Sequence, residues 1–176
     1  MKKSLLAMAI AATLALGFNA CVPQEKTLTD YLTAPKNGWV LESATSTPGY
    51  VMSSGAIIDN LMEGYLYDYE KDDVIKFTAD GIQTIEPGTN IPEDGSAYQE
   101  AISTPYSILQ DATGKFLNMQ VPFFYNDDYS SFDAPVEICE IINLDDNQLK
   151  IRCTMNDDEN PAKPTYSFTL TYVPEK

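Results

Sequence analysis

The sequence of 176 residues contains no histidine. Histidine is the usual general base near neutral pH and the commonest protein ligand of transition metals. Its absence excludes Ser-His-Asp and Cys-His catalytic arrangements. Two carboxylates can hydrolyse glycosides, but with 26 acidic residues a pairing in the sequence carries little information. We therefore expect no enzymatic activity, no cofactor and no metal site.

Basic residues are also scarce, since 11 lysines and arginines stand against 26 aspartates and glutamates, a formal net charge of −15. A protein with this charge is repelled by nucleic acids and by anionic lipid head groups. Nucleic acid is thus not expected as a partner. The acidity itself does not identify one.

Long apolar runs are missing beyond residue 20, where none approaches the roughly 20 residues that span a bilayer, so no transmembrane helix is expected. The amino terminus is different. Lys2 and Lys3 precede an apolar stretch from Leu5 to Leu16, which is the pattern of a secretory signal peptide. We predict a signal peptide over residues 1–20.

The end of this segment, Phe18-Asn19-Ala20 followed by Cys21, resembles the lipobox of bacterial lipoproteins. That resemblance implies that Cys21 carries acyl chains such as palmitate and that the membrane is a partner through this lipid. Val22 stands where an Asp would retain such a protein at the inner membrane, so the outer membrane is implied. The alternative is ordinary signal-peptidase cleavage after Gly17 or Ala20, which releases a free protein.

Residues 21–37 are polar, contain Pro23 and Pro35, and show no sustained period, which is typical of a tether. Thr29 is a candidate cap for a single helical turn ending at Leu32. The folded domain is predicted to span residues 38–176.

Strand patterns dominate this domain, and the only helical pattern runs from Ile57 to Leu66. Hairpins are predicted at Asp80-Gly81, at residues 111–114 and at residues 145–148. About eight strands joined mainly by hairpins favour an all-β, up-and-down antiparallel barrel, with a β-sandwich as the alternative. Residues on the more apolar strand faces are predicted to point inward: Trp39, Phe77, Leu117, Phe168 and Leu170.

The order of several motifs resembles the lipocalin-like lipoproteins of Bacteroidota. Gly38-Trp39-Val40-Leu41 opens the first strand, and the segment 72–77 (DDVIKF) leads into the Asp80-Gly81 hairpin. Later hairpins match too, so that the resemblance covers nearly all of residues 38–173. It implies a lipocalin-like barrel and an anchored location. It implies no particular ligand, because a fold does not give a function.

Cys139 and Cys153 lie on the two strands of the third hairpin. In an exported protein a disulfide between them must be considered. Pairing Leu144 with Leu149 matches the apolar faces of the strands but sets Cys139 beside Thr154. A shift by one residue would allow the disulfide and lose the matched faces. We predict two buried free thiols and keep the disulfide as the alternative.

Acidic clusters occur at Asp72-Asp73, Asp127-Asp128 and residues 157–159. None has the Asp-x-Asp-x-Asp-Gly order of a calcium loop. All three lie where turns are expected, and we interpret them as solvated turn acids.

Aromatic clusters are more informative about ligands. Tyr65, Tyr67 and Tyr69 alternate, so on a strand they would line one face and could stack against a sugar or an apolar ligand. The interpretation that we favour is that they cover the end of the barrel or pack beneath a loop. An eight-stranded barrel has room for about one small ligand. The candidate ligand-binding residues are Trp39, Tyr65, Tyr67, Phe77, Phe123, Phe124 and Tyr125.

The leading hypothesis is a non-enzymatic lipoprotein anchored in the outer membrane, with a lipocalin-like barrel that takes a small apolar or amphipathic ligand. The alternative is a surface interaction protein or glycan-uptake accessory protein that uses its loops and exposed aromatic residues. A filled barrel with exposed Phe123, Phe124 and Tyr125 would favour this alternative, whereas an open interior would favour ligand binding.

Overall fold

The computed structural model describes residues 25–52, 54–90, 100–121, 136–155 and 165–176. Within these ranges no helix is long and apolar enough to cross a membrane. The helices are α1 (Leu28–Leu32), α2 (Leu61–Gly64) and α3 (Asp68–Lys71). The strands are β1 (Trp39–Val51), β2 (Ile57–Asn60), β3 (Val74–Phe77), β4 (Ile82–Glu86), β5 (Ile102–Pro105), β6 (Ser107–Gln110), β7 (Lys115–Gln120), β8 (Val136–Leu144), β9 (Leu149–Met155) and β10 (Tyr166–Pro174).

The strands form one antiparallel sheet in the order β5-β4-β3-β1-β10-β9-β8-β7-β6, with β2 paired to β1 outside this path. Only Tyr106 separates β5 from β6, and β5 pairs with β4 whereas β6 pairs with β7. The segment 102–110 therefore links the two ends of the sheet. The result is a nearly closed up-and-down barrel of nine strands, which confirms the predicted all-β, lipocalin-like architecture.

Neighbouring strands run in opposite directions, so the connections alternate between two ends of the barrel. One end of the barrel is formed by the turns at residues 78–81, 111–114 and 145–148, together with the start of β1 and the end of β10. We call it the lower end. There the Glu175 backbone N–H donates to the Gly38 carbonyl at 2.9 Å. The upper end carries the β1–β2 turn, α2 and α3, and the last described residues of β4, β7 and β9.

The three predicted hairpins are confirmed by β3–β4, β6–β7 and β8–β9. In the first, Gly81 has a φ of +86°, a conformation that side chains with a Cβ rarely adopt. In the second, the Asp111 carboxylate accepts hydrogen bonds from the backbone N–H groups of Thr113 and Gly114, at 2.7 and 3.2 Å. The chemistry of the turn residues therefore fixed these hairpins locally.

The core is formed by the inward faces of the strands and by Leu32 of α1. All five residues predicted to point inward are buried, with exposures of 7% or less: Trp39, Phe77, Leu117, Phe168 and Leu170. On β10, Tyr166 and Tyr172 are buried on the same face as Phe168 and Leu170, and on the other face Thr171 is buried as well. The sequence period of two thus identified the inner wall.

The prediction of free thiols is wrong. Cys139 and Cys153 form a disulfide between β8 and β9, and their Cα atoms are 4.3 Å apart. Both cysteines are buried inside the barrel, at 0% and 1% exposure. Leu144 pairs with Leu149, as the predicted register requires. The error therefore lies further along the strands.

A β-bulge explains the difference. The register shifts between Ile141 and Asn143, which leaves Ile142 as an extra residue on β8. Beyond this point β8 is displaced by one position, so that Cys139 faces the interior beside Cys153. The displaced isoleucines lie outside instead, with Ile138 58% and Ile142 39% exposed. The structure thus keeps the predicted turn and also forms the disulfide.

Part of the segment predicted as a tether is a helix that contacts the barrel. The helix α1 is capped by Thr27 and not by Thr29, because the Thr27 hydroxyl accepts from the Asp30 backbone N–H and the Asp30 carboxylate accepts from the Thr27 backbone N–H. Leu32 is 1% exposed and belongs to the core. The predicted domain start at residue 38 is therefore too late by at least this helix.

The acidic pair Asp72-Asp73 was interpreted as solvated, and this interpretation is wrong. Asp73 is 5% exposed, and its Oδ1 accepts from the Gly88 backbone N–H at 3.2 Å. Asp72 Oδ2 accepts from the backbone N–H groups of Thr89 and Asn90, at 2.7 and 3.0 Å. Both carboxylates therefore hold the chain that follows β4. The other two acidic clusters lie outside the described residues.

A side chain bridges the gap between β4 and β7, which we call the seam of the barrel. The β6–β7 ladder ends at the pair Ser107 and Asn118. Beyond this pair the Tyr106 N–H donates to the Gly81 carbonyl at 2.8 Å, and Pro105 has no N–H to offer. Gln83 reaches across from β4 instead: its Nε2 donates to the Gln120 carbonyl at 2.7 Å, and its Oε1 accepts from the Gln120 N–H at 2.9 Å. The amide thus replaces a missing strand pair.

Candidate ligand site inside the barrel

The strand β10 supplies the most polar part of the inner wall. Tyr166, Phe168, Leu170 and Tyr172 face the interior, and each is at most 2% exposed. These four side chains alternate with outward residues because β10 is extended and pairs on both sides, with β1 and with β9. The strand therefore places two phenol groups at different heights inside the barrel.

Tyr166 belongs to an aromatic cluster near the upper end. Its ring lies 5.1 Å from the ring of Tyr50 on β1 and 6.1 Å from that of Phe168. Tyr65, which follows α2, meets Tyr50 edge to face with ring centroids 5.2 Å apart. Such contacts are favourable for aromatic rings at these separations. The cluster gives the upper interior rigid, apolar walls.

Three inward-facing hydroxyl groups have no hydrogen-bond partner in the described part of the chain: those of Thr104, Tyr166 and Tyr172. Thr104 shares the inner face with its strand partner Gln83. Buried polar groups in proteins are nearly always hydrogen-bonded, and each one left unpaired costs about 1–3 kcal/mol. Three such groups on one inner surface are unusual. They offer donors and acceptors to anything that enters.

Tyr172 lies close to acidic charge. Burial raises the pKa of its phenol far above the usual range, and the negative charge of Asp73 raises it further. The phenol is therefore a permanent hydrogen-bond donor. An anionic group beside it would be repelled by Asp73, so the site favours a neutral acceptor.

Glu70, on α3, is a further acidic group at the upper end. Burial raises its pKa to about 7, and the charge of Asp73 adds to the effect. Two contacts oppose it: the hydrogen bond that Glu70 accepts from the Tyr67 backbone N–H at 2.7 Å, and the charge of Lys71. Glu70 is thus partly protonated at neutral pH.

Apart from the hydrogen-bonded Gln83 and Ser46, the other buried side chains of the inner wall are apolar, and the disulfide, Leu117, Met119 and Ile151 are at 0–1% exposure. In the described residues no group of three acidic or cysteine side chains is placed to hold a metal ion. The interior can therefore offer apolar contact and a few hydroxyl groups. That chemistry suits the binding of a small molecule.

Two predicted ligand contacts, Trp39 and Phe77, lie at the lower end and are packed into the core. The Trp39 indole Nε1 donates to the Leu32 carbonyl at 2.8 Å. Phe77 meets Tyr106 edge to face at 5.0 Å, and the Tyr106 hydroxyl donates to the Thr78 carbonyl at 2.9 Å. Both aromatic residues close the floor of the barrel. Their role in binding a ligand stays a prediction.

The tyrosines at 65, 67 and 69 do not share a strand, so the one-sided platform considered for a strand does not form. The chain turns at Tyr65 and forms α3 directly after Tyr67, because Glu70 caps the Tyr67 N–H. Tyr65 packs inward, as the favoured interpretation expects. Tyr67 is 58% exposed, and its ring stacks on Tyr69 at 5.3 Å with an angle of 5°.

Phe123, Phe124, Tyr125 and Cys21 lie outside the described residues. Sequence reasoning did not single out the hydroxyls of Thr104, Tyr166 and Tyr172. The signal for the tyrosines was present, because a strand buried on one face and carrying tyrosines on that face must find partners for their hydroxyls. Thr104 carried no such signal.

An open groove of about 490 Å³ lies on the outer face, beside β1 and β2. Hydroxyl and amide groups line it, including those of Ser43, Thr45 and Asn60, and it contains no aromatic residue. Its lining also includes Pro48, but an open surface groove buries less of a ligand than an enclosed interior does. The barrel interior is therefore the better candidate.

The chain matches no known protein-family model and no curated protein. Among solved structures it is similar to a bovine odorant-binding protein in complex with a selenium-containing odorant, at 11% identity and a TM-score of 0.39. The match covers 88% of this chain and 76% of that one. We assign the fold from the strand order and register, and not from this similarity.

Proposed function

We propose that this chain is an exported, lipid-anchored binding protein whose barrel takes one small amphipathic ligand with a neutral polar group. The observation behind this proposal is that the hydroxyls of Thr104, Tyr166 and Tyr172 find no partner among the described residues on a largely apolar inner wall. A ligand that bonds to one of them gains a buried hydrogen bond and removes a desolvation cost.

The size of the barrel supports a small ligand. The nine strands enclose a narrow interior lined by large buried side chains, so only a small ligand could be accommodated. The acidic Asp73 near Tyr172 disfavours a carboxylate or phosphate head group. Fatty alcohols, esters and amides fit both constraints.

The proposed anchor rests on the sequence Ala20-Cys21 after a short apolar segment, and on the resemblance to Bacteroidota lipocalin-like lipoproteins. The disulfide between Cys139 and Cys153 supports export, because disulfides persist mainly in oxidising compartments. Location in the outer membrane follows from Val22. Metabolic labelling with a clickable fatty acid tests the anchor, and label that persists on a Cys21→Ala variant would refute it.

Ligand binding is tested with the fluorescent probe N-phenyl-1-naphthylamine, displaced by dodecanol or by dodecanoate. Dodecanol should compete better than dodecanoate. The Tyr166→Phe or Tyr172→Phe change removes one hydroxyl and nothing else, so the affinity for dodecanol should fall by about 5- to 15-fold at whichever tyrosine binds it. The probe itself should bind as before.

The matched control is Tyr67→Phe, since this tyrosine is exposed. The proposal fails if the probe does not bind saturably, or if both interior variants behave like the control. Mass spectrometry of lipids that copurify with the wild-type protein would identify the natural ligand.

A second candidate function is glycan binding on the outside of the barrel. It is favoured by one observation, the exposed ring of Tyr67 stacked on Tyr69. Aromatic rings presented in this way are suited to stacking against sugars. Loss of oligosaccharide binding in a Tyr67→Ala variant, with dodecanol binding unchanged, would support this function.

A further inference from the structure

The chain that leads into the barrel is fixed to the lower end. The Leu32 side chain is buried in the core, and the Leu32 carbonyl accepts from the Trp39 indole. Before the helix, Lys26 forms an ion pair with Asp146 in the β8–β9 turn. The exposed pair contributes little energy. It does show that residue 26 lies beside the lower-end turns.

The distance from this point to the proposed lipid is short. Cys21 precedes Glu25, the first described residue, by four positions, and four fully extended residues span at most about 14 Å. Strand β1 alone has 13 residues, which corresponds to about 40 Å along the strand. The reach of the anchor is therefore much less than the length of the barrel wall.

We propose that the lower end is the membrane-facing surface of this protein, held against a zwitterionic bilayer by the lipid on Cys21. The proposal rests on the proposed anchor. The lower end is expected to face a zwitterionic bilayer because an anionic one would repel the carboxylates of its turns. These carboxylates are Asp80, Asp111, Asp145 and Asp146. The short anchor and the docked helix α1 together fix which end faces the lipid.

The upper end then points away from the bilayer. Tyr166 lies at the start of β10, and the rings of Tyr50 and Tyr65 surround it at that end. A ligand that enters through the upper end must therefore come from the aqueous phase or from a protein there. It does not diffuse in from the anchoring membrane.

Four alanines make a matched set for the test. Ala79 and Ala112 are exposed in lower-end turns, whereas Ala56 and Ala101 are exposed at the upper end. The chain has three cysteines. With Cys21 acylated and Cys139 bonded to Cys153, a single Ala→Cys change introduces the only free thiol, which can carry a fluorophore.

Each labelled variant of the full lipidated chain is reconstituted into phosphatidylcholine vesicles that contain lipid with a nitroxide on its head group. We expect quenching to be severalfold stronger at Ala79→Cys and Ala112→Cys than at Ala56→Cys and Ala101→Cys. Equal quenching at all four positions, or stronger quenching at the upper pair, would overturn the orientation.

The length of the anchor segment is varied as a control. A Gly-Ser linker of about 20 residues between Pro23 and Gln24 has a root-mean-square span of about 25 Å, so the quenching ratio between lower and upper sites should fall towards one. An unchanged ratio would show that reach does not set the orientation, which overturns the argument.

The intact mass of the purified protein separates the two proposals. If the mass shows no acyl chains, the anchor fails and the orientation fails with it. If the protein is acylated but the four sites are quenched equally, the anchor stands and only the orientation is wrong.

Discussion

The Gln83 side chain gives the sharpest test of how the barrel is held closed. Gln83 is fully buried and makes two hydrogen bonds to the backbone of Gln120, at 2.7 and 2.9 Å. Replacing Gln83 with Leu keeps a similar volume and removes both bonds. The N–H and C=O of Gln120 are then buried without partners.

Each unpaired buried backbone group costs about 1–3 kcal/mol, so Gln83→Leu should lower the free energy of unfolding by about 2–6 kcal/mol. The apolar leucine offsets part of this loss, and we expect the lower half of the range. The assay is urea unfolding of a non-lipidated protein, with the midpoint compared at constant m value.

Thr84→Ala is the matched control on the same strand, because it removes an exposed hydrogen bond of 3.0 Å between the Thr84 and Ser103 hydroxyls. It should cost no more than about 0.5 kcal/mol. If Gln83→Leu costs as little as Thr84→Ala, the amide does not close the seam, and our account of the barrel at Pro105 is wrong.

Three further predictions address the core, the disulfide and the acidic group at the upper end. Phe168→Ala should destabilise the protein by about 3–5 kcal/mol in the same assay, and a loss below about 1 kcal/mol would contradict its inward position. Alkylation under denaturing conditions without reductant should add no group to Cys139 or Cys153, whereas two added groups would refute the bulged register. The pKa of Glu70 is raised from 4.5 to about 7. Its contribution to stability is therefore fully present below pH 4.5 and is lost as the pH rises through 7. After allowance for the partial exposure of Glu70, we expect the free energy of unfolding to fall by about 2 kcal/mol over this range. Glu70→Gln keeps the hydrogen bond to Tyr67 and should remove this dependence; an unchanged pH profile of stability would refute it.

The elements that sequence reasoning predicted well are those fixed by neighbours along the chain. The Asp80-Gly81 hairpin follows from a positive φ at Gly81, and the inner face of β10 follows from strict alternation. Both signals lie within a few residues. The closed barrel then follows because consecutive hairpins pair in order.

The errors come from interactions between distant parts of the chain. The bulge at Ile142 is stabilised by the disulfide and by burial of Ile141, and neither is visible in the hydrophobic pattern of β8 alone. A pattern with apolar residues on both faces permits two registers that differ by one residue. In the observed register Ile138 lies on the apolar face of β8 that is exposed to solvent.

Distant partners also explain why the buried acids and the candidate site were missed. Asp73 is buried because it bonds to Gly88, which lies 15 positions further along the chain. Tyr65 points inward and packs against the ring of Tyr50 on β1, a contact that its neighbours in the sequence do not reveal. A local pattern assigns such residues to turns and surfaces by default.

The polar groups inside the barrel fall into two classes, and the difference bears on function. Gln83 and Ser46 are buried and hydrogen-bonded. Gln83 donates to the Gln120 carbonyl across the gap between β4 and β7, and the Ser46 hydroxyl donates to the Pro48 carbonyl at 2.7 Å. Selection for stability alone explains such groups, because they satisfy the backbone. The hydroxyls of Tyr166 and Tyr172 satisfy nothing in the described chain, and phenylalanine in their place would fill the same space without a desolvation cost. This difference between the two classes is the basis for proposing a ligand inside the barrel.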